Sequence, residues 1–343
     1  MTPVPTDHRV DQMLRSPQGQ EFIFSLIHSV SDMDLDGLGR PEAKARIRAA
    51  VGAQGPLPDG PVDYLAALAR ATFGFGFSGN DESLWALLTA ARQELRPVAE
   101  AIVTAASRYG WWDPVQRSDQ RLLIWDDHDE LRGEAVEDAV RAGVERARRE
   151  NDEGLARGRP RLPPGHRRGA RWWSAPDFAP LTWTTGAVAP LPTTALLGFV
   201  DTHRPFEPTG ASVLSVKVED EARVYEVADP EDWRRLVERF PMDVTGTHDG
   251  EWRYWGSVTG PWTLPDWSEV MEHFDGVHVT VGGFVNSCGL ALAVGNTFTM
   301  LGGWIPDATL WLHDVTIDRQ VLGRWYGTPT TDAAEVMAGW TAG

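Results

Sequence analysis

The chain has 343 residues, of which 42% are hydrophobic and 24% are charged, and its formal net charge is −17. This composition is typical of a soluble globular protein, and the absence of any apolar run of about eighteen residues argues against a membrane as a partner. The acidic charge argues against nucleic acid as a partner, because a polyanion would be repelled.

Cysteine content and the N-terminal residues predict the cellular setting. The single cysteine, Cys288, cannot form an internal disulfide, and the first nine residues lack the apolar segment of a secretory leader. We therefore expect a reducing, cytoplasmic environment. The chain contains only two lysines, Lys44 and Lys217, but thirty arginines, and this bias indicates a GC-rich bacterial genome.

The first 150 residues read as helical. Apolar residues recur at helical spacing in four segments, at 22–27, 62–69, 84–88 and 136–144, and no convincing strand interrupts them. A bundle of about five helices over residues 1–150 is the natural packing of such segments.

Two local motifs in this half invite a functional interpretation. Residues 74–79 match the spacing G-x-G-x-x-G of a phosphate-binding loop, but they follow a predicted helix and not a strand. We interpret them as a turn between helices. Residues 125–130 cluster four carboxylates with His128, which we interpret as a solvated acidic loop and not a cation site.

Residues 151–171 separate the two halves. From residue 155 onward this stretch contains six arginines and no acid, with several prolines and glycines, so we predict a linker. The formal charge is −7 over residues 1–150 and −14 over residues 172–343. The chain is also long enough for two cores, so these ranges predict a two-domain protein.

The predicted second domain, residues 172–343, mixes strands with short helices and holds twelve of the sixteen tryptophans. Gly295-Asn296 predicts a tight hairpin turn, and residues 247–251 read as another turn. Asp229-Pro230 and Pro265-Asp266 each predict a helix start. Alternating or β-branched runs predict strands at 212–218, 222–227, 277–281 and 309–315. The expected class is α+β, with an all-α N-terminal domain followed by a Trp-rich mixed α/β domain whose sheet is mainly antiparallel.

One set of side chains suggests a metal site. His273, Asp275, His313 and Arg324 occur in the order H-x-D, H, R. This order resembles the pattern of Fe(II)/2-oxoglutarate oxygenases. The resemblance implies that His273, Asp275 and His313 hold a divalent metal such as Fe(II), and that Arg324 binds the co-substrate carboxylate. The alternative is that each histidine is an ordinary core or surface residue.

A second set suggests thiol chemistry. Cys288 follows a polar turn, and an imidazole on a nearby strand, His278 or His313, would activate it as a nucleophile. The alternative is an inert thiol, because cysteine is among the residue types most often buried.

A third set suggests ligand binding. Trp252, Tyr254, Trp255 and Trp262 would offer aromatic faces to a cation or to a flat ring in an acidic domain. The leading hypothesis is therefore a cytoplasmic enzyme that acts on a small aromatic or cationic metabolite in a Trp-lined cleft of the C-terminal domain, with or without a metal. The alternatives are an interaction protein that binds a protein partner through a Trp-rich surface, and a Cys-His thiol enzyme.

Overall fold

The fold is taken from a computed structural model of the chain. It describes residues 5–28, 35, 38–53, 57, 64, 67–68, 71, 81–126, 135–158, 172–176, 182–187, 192–195, 209–327 and 339–343. Within these residues, no helix combines the length and apolarity that a membrane crossing requires. Helices dominate the first part and a mainly antiparallel sheet dominates the second, which confirms the α+β class.

The first part consists mainly of helices, as predicted. The described helices are α1 (Thr6–Arg15), α2 (Pro17–His28), α3 (Arg40–Ala53), α4 (Asp81–Ala90), α5 (Arg92–Arg108) and α6 (Val136–Ala156). They contain the predicted segments at 22–27, 84–88 and 136–144. Residues 74–79 lie outside the described residues, as do most of the acidic loop at 125–130 and most of the segment at 62–69.

The second part is built on strands. The described strands are β1 (Gln120–Trp125), β2 (Thr182–Thr185), β3 (Thr209–Lys217), β4 (Val224–Val227), β5 (Pro241–Asp243), β6 (Thr263–Pro265), β7 (Gly276–Val279), β8 (Leu292–Val294), β9 (Thr297–Thr299), β10 (Ala308–Trp311), β11 (Thr316–Gly327) and β12 (Trp340–Ala342). Within the described chain, the main sheet has eight strands in the order β12-β11-β3-β1-β2-β10-β7-β4. Its described pairs are antiparallel apart from β4 with β7, which is parallel.

The predicted hairpin is confirmed. Strand β8 pairs with β9 in a separate two-stranded sheet, and Val294 faces Thr297 across the two-residue turn. Gly295 has a φ of 55°, which glycine adopts without a steric penalty. The other small sheet joins β5 to β6.

The helices of the second part are α7 (Pro230–Arg239), α8 (Thr245–Gly256), α9 (Trp267–His273) and α10 (Val281–Ser287). Asp229 caps α7 by accepting from the Asp232 amide at 2.9 Å, and Asp266 caps α9 by accepting from the Ser268 amide at 3.1 Å. Both predicted helix starts are thus confirmed, although Pro265 ends β6. The turn predicted at 247–251 is wrong, because these residues lie inside α8.

Strand β1 departs from the all-α expectation for residues 1–150. It lies between β3 and β2 in the main sheet, with Leu123 facing Val213 and Arg121 facing Thr185. A short apolar run does not distinguish a strand from a buried helix by periodicity alone. Its partners lie far away in sequence, so no local signal revealed the strand.

Residues of both halves contribute to the core. A single cluster of buried apolar side chains includes Phe22 and Trp111 from the first half and Trp233 and Val277 from the second. Helix α6 packs on α8, and the Ser16 hydroxyl after α1 donates to the Cys288 carbonyl at 3.1 Å. Residues 151–156 of the predicted linker form the last turns of α6, and residues 159–171 lie outside the described residues. The division into two domains stays a prediction.

Candidate functional site

The three predicted metal ligands do not converge. His313 Nε2 lies 3.8 Å from Asp275 Oδ1, but His273 lies at the exposed end of α9, where its ring packs 5.2 Å from that of Phe240. Among the residues that the structure describes, no group of three or more His, Cys, Asp or Glu side chains is arranged to hold a metal ion.

The partners of these side chains explain their positions. Asp275 accepts from the Arg223 guanidinium at 2.7 Å, and His313 Nδ1 lies 2.8 Å from Glu137 Oε1. Arg324 lies elsewhere, as an exposed residue of β11, and its guanidinium contacts both oxygens of Asp126 at 2.7 and 2.8 Å. Each of these groups therefore takes part in an ion pair or hydrogen bond with a nearby side chain.

The structure does not bring Cys288 and His278 together as a nucleophile and its base. Cys288 follows α10 and is only 3% exposed, and burial raises the pKa of its thiol to about 12. Both ring nitrogens of His278 face carboxylates, with Nδ1 2.6 Å from Glu226 Oε2 and Nε2 3.3 Å from Asp307 Oδ1. This geometry favours a protonated thiol and leaves His278 no free nitrogen to accept a proton.

His278 belongs instead to a buried ionic clamp with Glu226 and Asp307. Burial opposes a charge on its ring, but the hydrogen bonds to Asp307 and Glu226 outweigh that effect and raise the pKa of His278 to about 9. The clamp joins β7 to β4 and to the turn before β10. Glu226 and Asp307 were not among the predicted site residues, because strand pairing and a turn, and not sequence spacing, bring them to His278.

The three described indoles of the predicted ligand-binding set are all buried, and one of them, Trp255, also reaches the edge of a cleft. Trp252 and Trp262 are fully buried, with ring centroids 5.3 Å apart, and Trp252 Nε1 donates to the Trp172 carbonyl at 2.9 Å. They therefore form part of the core. Trp255 lines a cleft, whereas the side chain of Tyr254 lies outside the described part of the structure.

That cleft lies between the N-terminal helices and the end of α8. Its volume is about 490 Å³, within the usual range for small-molecule sites. Both halves of the chain contribute to it, and not the C-terminal part alone, as the sequence had suggested. The lining residues are Arg15, Pro17, Gln20, Arg40, Trp85, Ala86, Thr89, Ala90, Arg92, Trp255, Gly256, Ser257, Val258, Gly289, Leu290 and Ala291.

The charge of the cleft is opposite to that of the chain. Arg15, Arg40 and Arg92 line it, and no carboxylate does so among the described lining residues. Among the described residues, none of the three arginines has an ion-pair partner, and Arg92 Nε is buried without a hydrogen-bond acceptor. Burial and the nearby charge of Arg15 lower the pKa of Arg92. An anion would relieve this repulsion.

Helix starts add to the positive potential. Pro17, Arg40 and Arg92 are the first residues of α2, α3 and α5. The first turn of a helix carries partial positive charge and unpaired amides, so it favours an anion and disfavours an arginine. Ala91 provides no side-chain cap for α5. The first amides of α2 already donate to the Cys288 carbonyl and the Ser16 hydroxyl, so the starts of α3 and α5 are the helix ends that would attract an anion.

Two indoles form an aromatic wall of the cleft. The rings of Trp85 and Trp255 meet edge to face, with centroids 4.6 Å apart and an interplanar angle of 63°. Trp255 Nε1 donates to Glu251 at 2.8 Å, and Trp85 Nε1 donates to Glu21 at 3.4 Å. Both indole N–H groups are thus engaged by carboxylates that do not line the cleft.

A smaller cleft of about 280 Å³ contains two of the predicted metal ligands, Asp275 and His313. Asp275, His313 and four neighbouring charged residues line it: Lys217, Glu219, Glu221 and Asp314. Because Asp275 and His313 are engaged by Arg223 and Glu137, this cleft offers weaker support for a ligand site.

None of the known protein families, curated proteins or solved structures compared with this chain matches it. Of the cleft residues, Trp255 was predicted from the sequence, whereas Trp85 and the three arginines, which lie on separate helices, were not. The one available signal was an arginine at a helix start, at Arg40 and again at Arg92, where a cation is unfavourable.

Proposed function

We propose that this protein binds a small organic anion, a phosphate ester or a carboxylate, in the cleft lined by Arg15, Arg40 and Arg92. The observation that carries the proposal is the group of guanidinium side chains without described counter-ions, in a concave site of a chain whose net charge is −17. Arginine suits such ligands because its planar N–H donors match carboxylate and phosphate oxygens.

The proposed role is binding, without a chemical step. General acid–base catalysis needs a positioned group that gains or loses a proton near the working pH. Histidine, cysteine, aspartate and glutamate do not occur among the described residues that line the cleft. The aromatic part of the sequence-based hypothesis is retained, and the cationic ligand is replaced by an anionic one because the lining is basic.

Charge reversal at Arg92 tests the proposal. We expect the wild-type chain to bind phenyl phosphate, and Arg92→Glu to weaken binding at least tenfold, about 1.4 kcal/mol, because it places a carboxylate in the cleft. Isothermal titration calorimetry measures both dissociation constants. Arg108→Glu is the matched control, since Arg108 is an exposed residue at the other end of α5 and makes the same change in net charge.

Two outcomes would overturn the proposal. One is the absence of measurable phenyl phosphate binding to the wild-type chain at low ionic strength. The other is an equal loss of affinity in the Arg92 and Arg108 variants, which would indicate a general effect of net charge. Circular dichroism of both variants shows whether each remains folded.

A further inference from the structure

The aromatic wall of the arginine cleft makes this site selective for the shape of its ligand as well as for its charge. Trp255 is only 4% exposed, and it packs edge to face against Trp85 and also against Trp172, whose ring centroid lies 6.1 Å away. Its hydrogen bond to Glu251 fixes the ring further. The wall is therefore held in place by packing before any ligand arrives.

The aromatic wall presents apolar ring carbons to a ligand. Since Glu251 and Glu21 accept the N–H groups of Trp255 and Trp85, the indoles offer the cleft ring carbons and no free N–H donor. Most of this apolar surface comes from the half-buried Trp85, because Trp255 is almost fully buried. Such surfaces bind flat rings by stacking or by edge-to-face contact. They also attract cations, but the neighbouring guanidinium groups of Arg15 and Arg92 would repel a cationic ligand.

We propose that the ligand is an aromatic anion, in which a flat ring lies against Trp85, which Trp255 supports edge to face, while an attached phosphate or carboxylate is held by Arg15 and Arg92. This inference rests on the proposed anion-binding function and names its ligand class. A nucleotide or an aromatic phosphate has this chemistry, whereas inorganic phosphate and aliphatic phosphates have only the charged half. The cleft volume of about 490 Å³ leaves room for both halves.

A pair of probes of similar size and equal charge tests the ring. Phenyl phosphate and cyclohexyl phosphate carry the same charged group, but only the phenyl ring is flat and aromatic. We expect the wild-type chain to bind phenyl phosphate at least tenfold more tightly, because stacking on an aromatic side chain contributes roughly 1–3 kcal/mol for a nucleobase. Titration calorimetry gives both affinities without any substitution.

The Trp85→Leu variant then tests whether the preference for phenyl phosphate depends on Trp85. In this variant we expect phenyl phosphate to lose at least fivefold in affinity, and cyclohexyl phosphate to change less than twofold. Trp173→Leu is the control, since Trp173 is 59% exposed and does not line the cleft. It should retain the wild-type preference. If Trp85→Leu does not fold, the comparison of the two probes on the wild-type chain still decides the question.

The outcomes separate the two proposals. Equal binding of the two probes, with loss of both in Arg92→Glu, overturns the aromatic ligand and leaves the anion site standing. Binding of neither probe overturns both proposals. If the preference for phenyl phosphate is retained in Trp85→Leu and lost in Trp173→Leu, the phenyl ring does not bind at Trp85. That result also overturns the inference.

Discussion

His278 keeps a positive charge inside the molecule, because Glu226 and Asp307 face its two ring nitrogens. Its ring is almost fully buried, at 1% exposed, yet its pKa lies at about 9, above the ordinary value of 6.5. A buried charge is tolerated only when it is paired. At the residue scale, this clamp links the stability of the fold to pH.

The raised pKa fixes the sign of the pH dependence. Because the folded state holds the proton more tightly, the contribution of His278 is complete below about pH 6.5 and is lost as the pH rises through about 9. We expect this loss to lower the free energy of unfolding by on the order of 3 kcal/mol. Urea unfolding at pH 6, 7.5 and 9 measures it.

The titration of the ring provides an independent check. The His278 resonance in a nuclear magnetic resonance titration should have its midpoint near 9. A midpoint near 6.5 would contradict the clamp. In His278→Gln, the fall in unfolding free energy between pH 6.5 and 9 should largely disappear, because the titrating group is gone. An unchanged slope in that variant would assign the pH dependence to other groups.

At the scale of elements, the crossing of α6 and α8 depends on two glycines. A Cβ placed on Gly154 would overlap the carbonyl of Gly246, and a Cβ on Gly246 would overlap the carbonyl of Asn151. The Asn151 side chain also accepts from the Gly246 amide at 2.7 Å. The two helix backbones therefore approach each other closely, with room for hydrogen atoms only.

An alanine at this crossing should be costly. We expect Gly154→Ala to lower the free energy of unfolding by about 1–3 kcal/mol, because the obstacle is backbone that yields only if the helices separate. Gly52→Ala is the control, since Gly52 lies in α3 with nothing within 4 Å of the added methyl group. That change should stabilise the chain by up to about 1 kcal/mol. Equal effects in urea unfolding would show that the helices do not cross as described.

Elements that depend on residues adjacent in sequence could be predicted, whereas elements that depend on tertiary contacts could not. The hairpin at Gly295 and the caps at Asp229 and Asp266 depend on residues next to them in sequence, so their patterns were sufficient. Residues 247–251 read as a turn by composition, but packing against α6 holds them in α8. The cleft arginines come from three helices, and only tertiary structure brings them together.

At the scale of the whole molecule, the predicted linker gives a test of how the halves are joined. We expect trypsin to cleave between residues 157 and 171, where six arginines follow one another closely. The two fragments should separate on a denaturing gel but elute together from a native size-exclusion column. The reason is that β1, from the first fragment, lies between β2 and β3 of the second.

Either alternative result would be informative. Separate elution of the two fragments would show that each half holds together without the shared sheet. Resistance of all six arginines to the protease under native conditions would count against a linker in this segment. The undigested chain provides the reference elution volume.

The position of β1 also has a consequence for synthesis. The ribosome completes β1 at Trp125, but its two sheet partners, β2 and β3, are complete only at Thr185 and Lys217. During that interval the nascent strand has both edges open and carries the apolar residues Leu122, Leu123 and Ile124. Open apolar edges recruit strands from other chains. Slow translation between residues 126 and 217 would therefore favour aggregation, and a chaperone that shields β1 would oppose it.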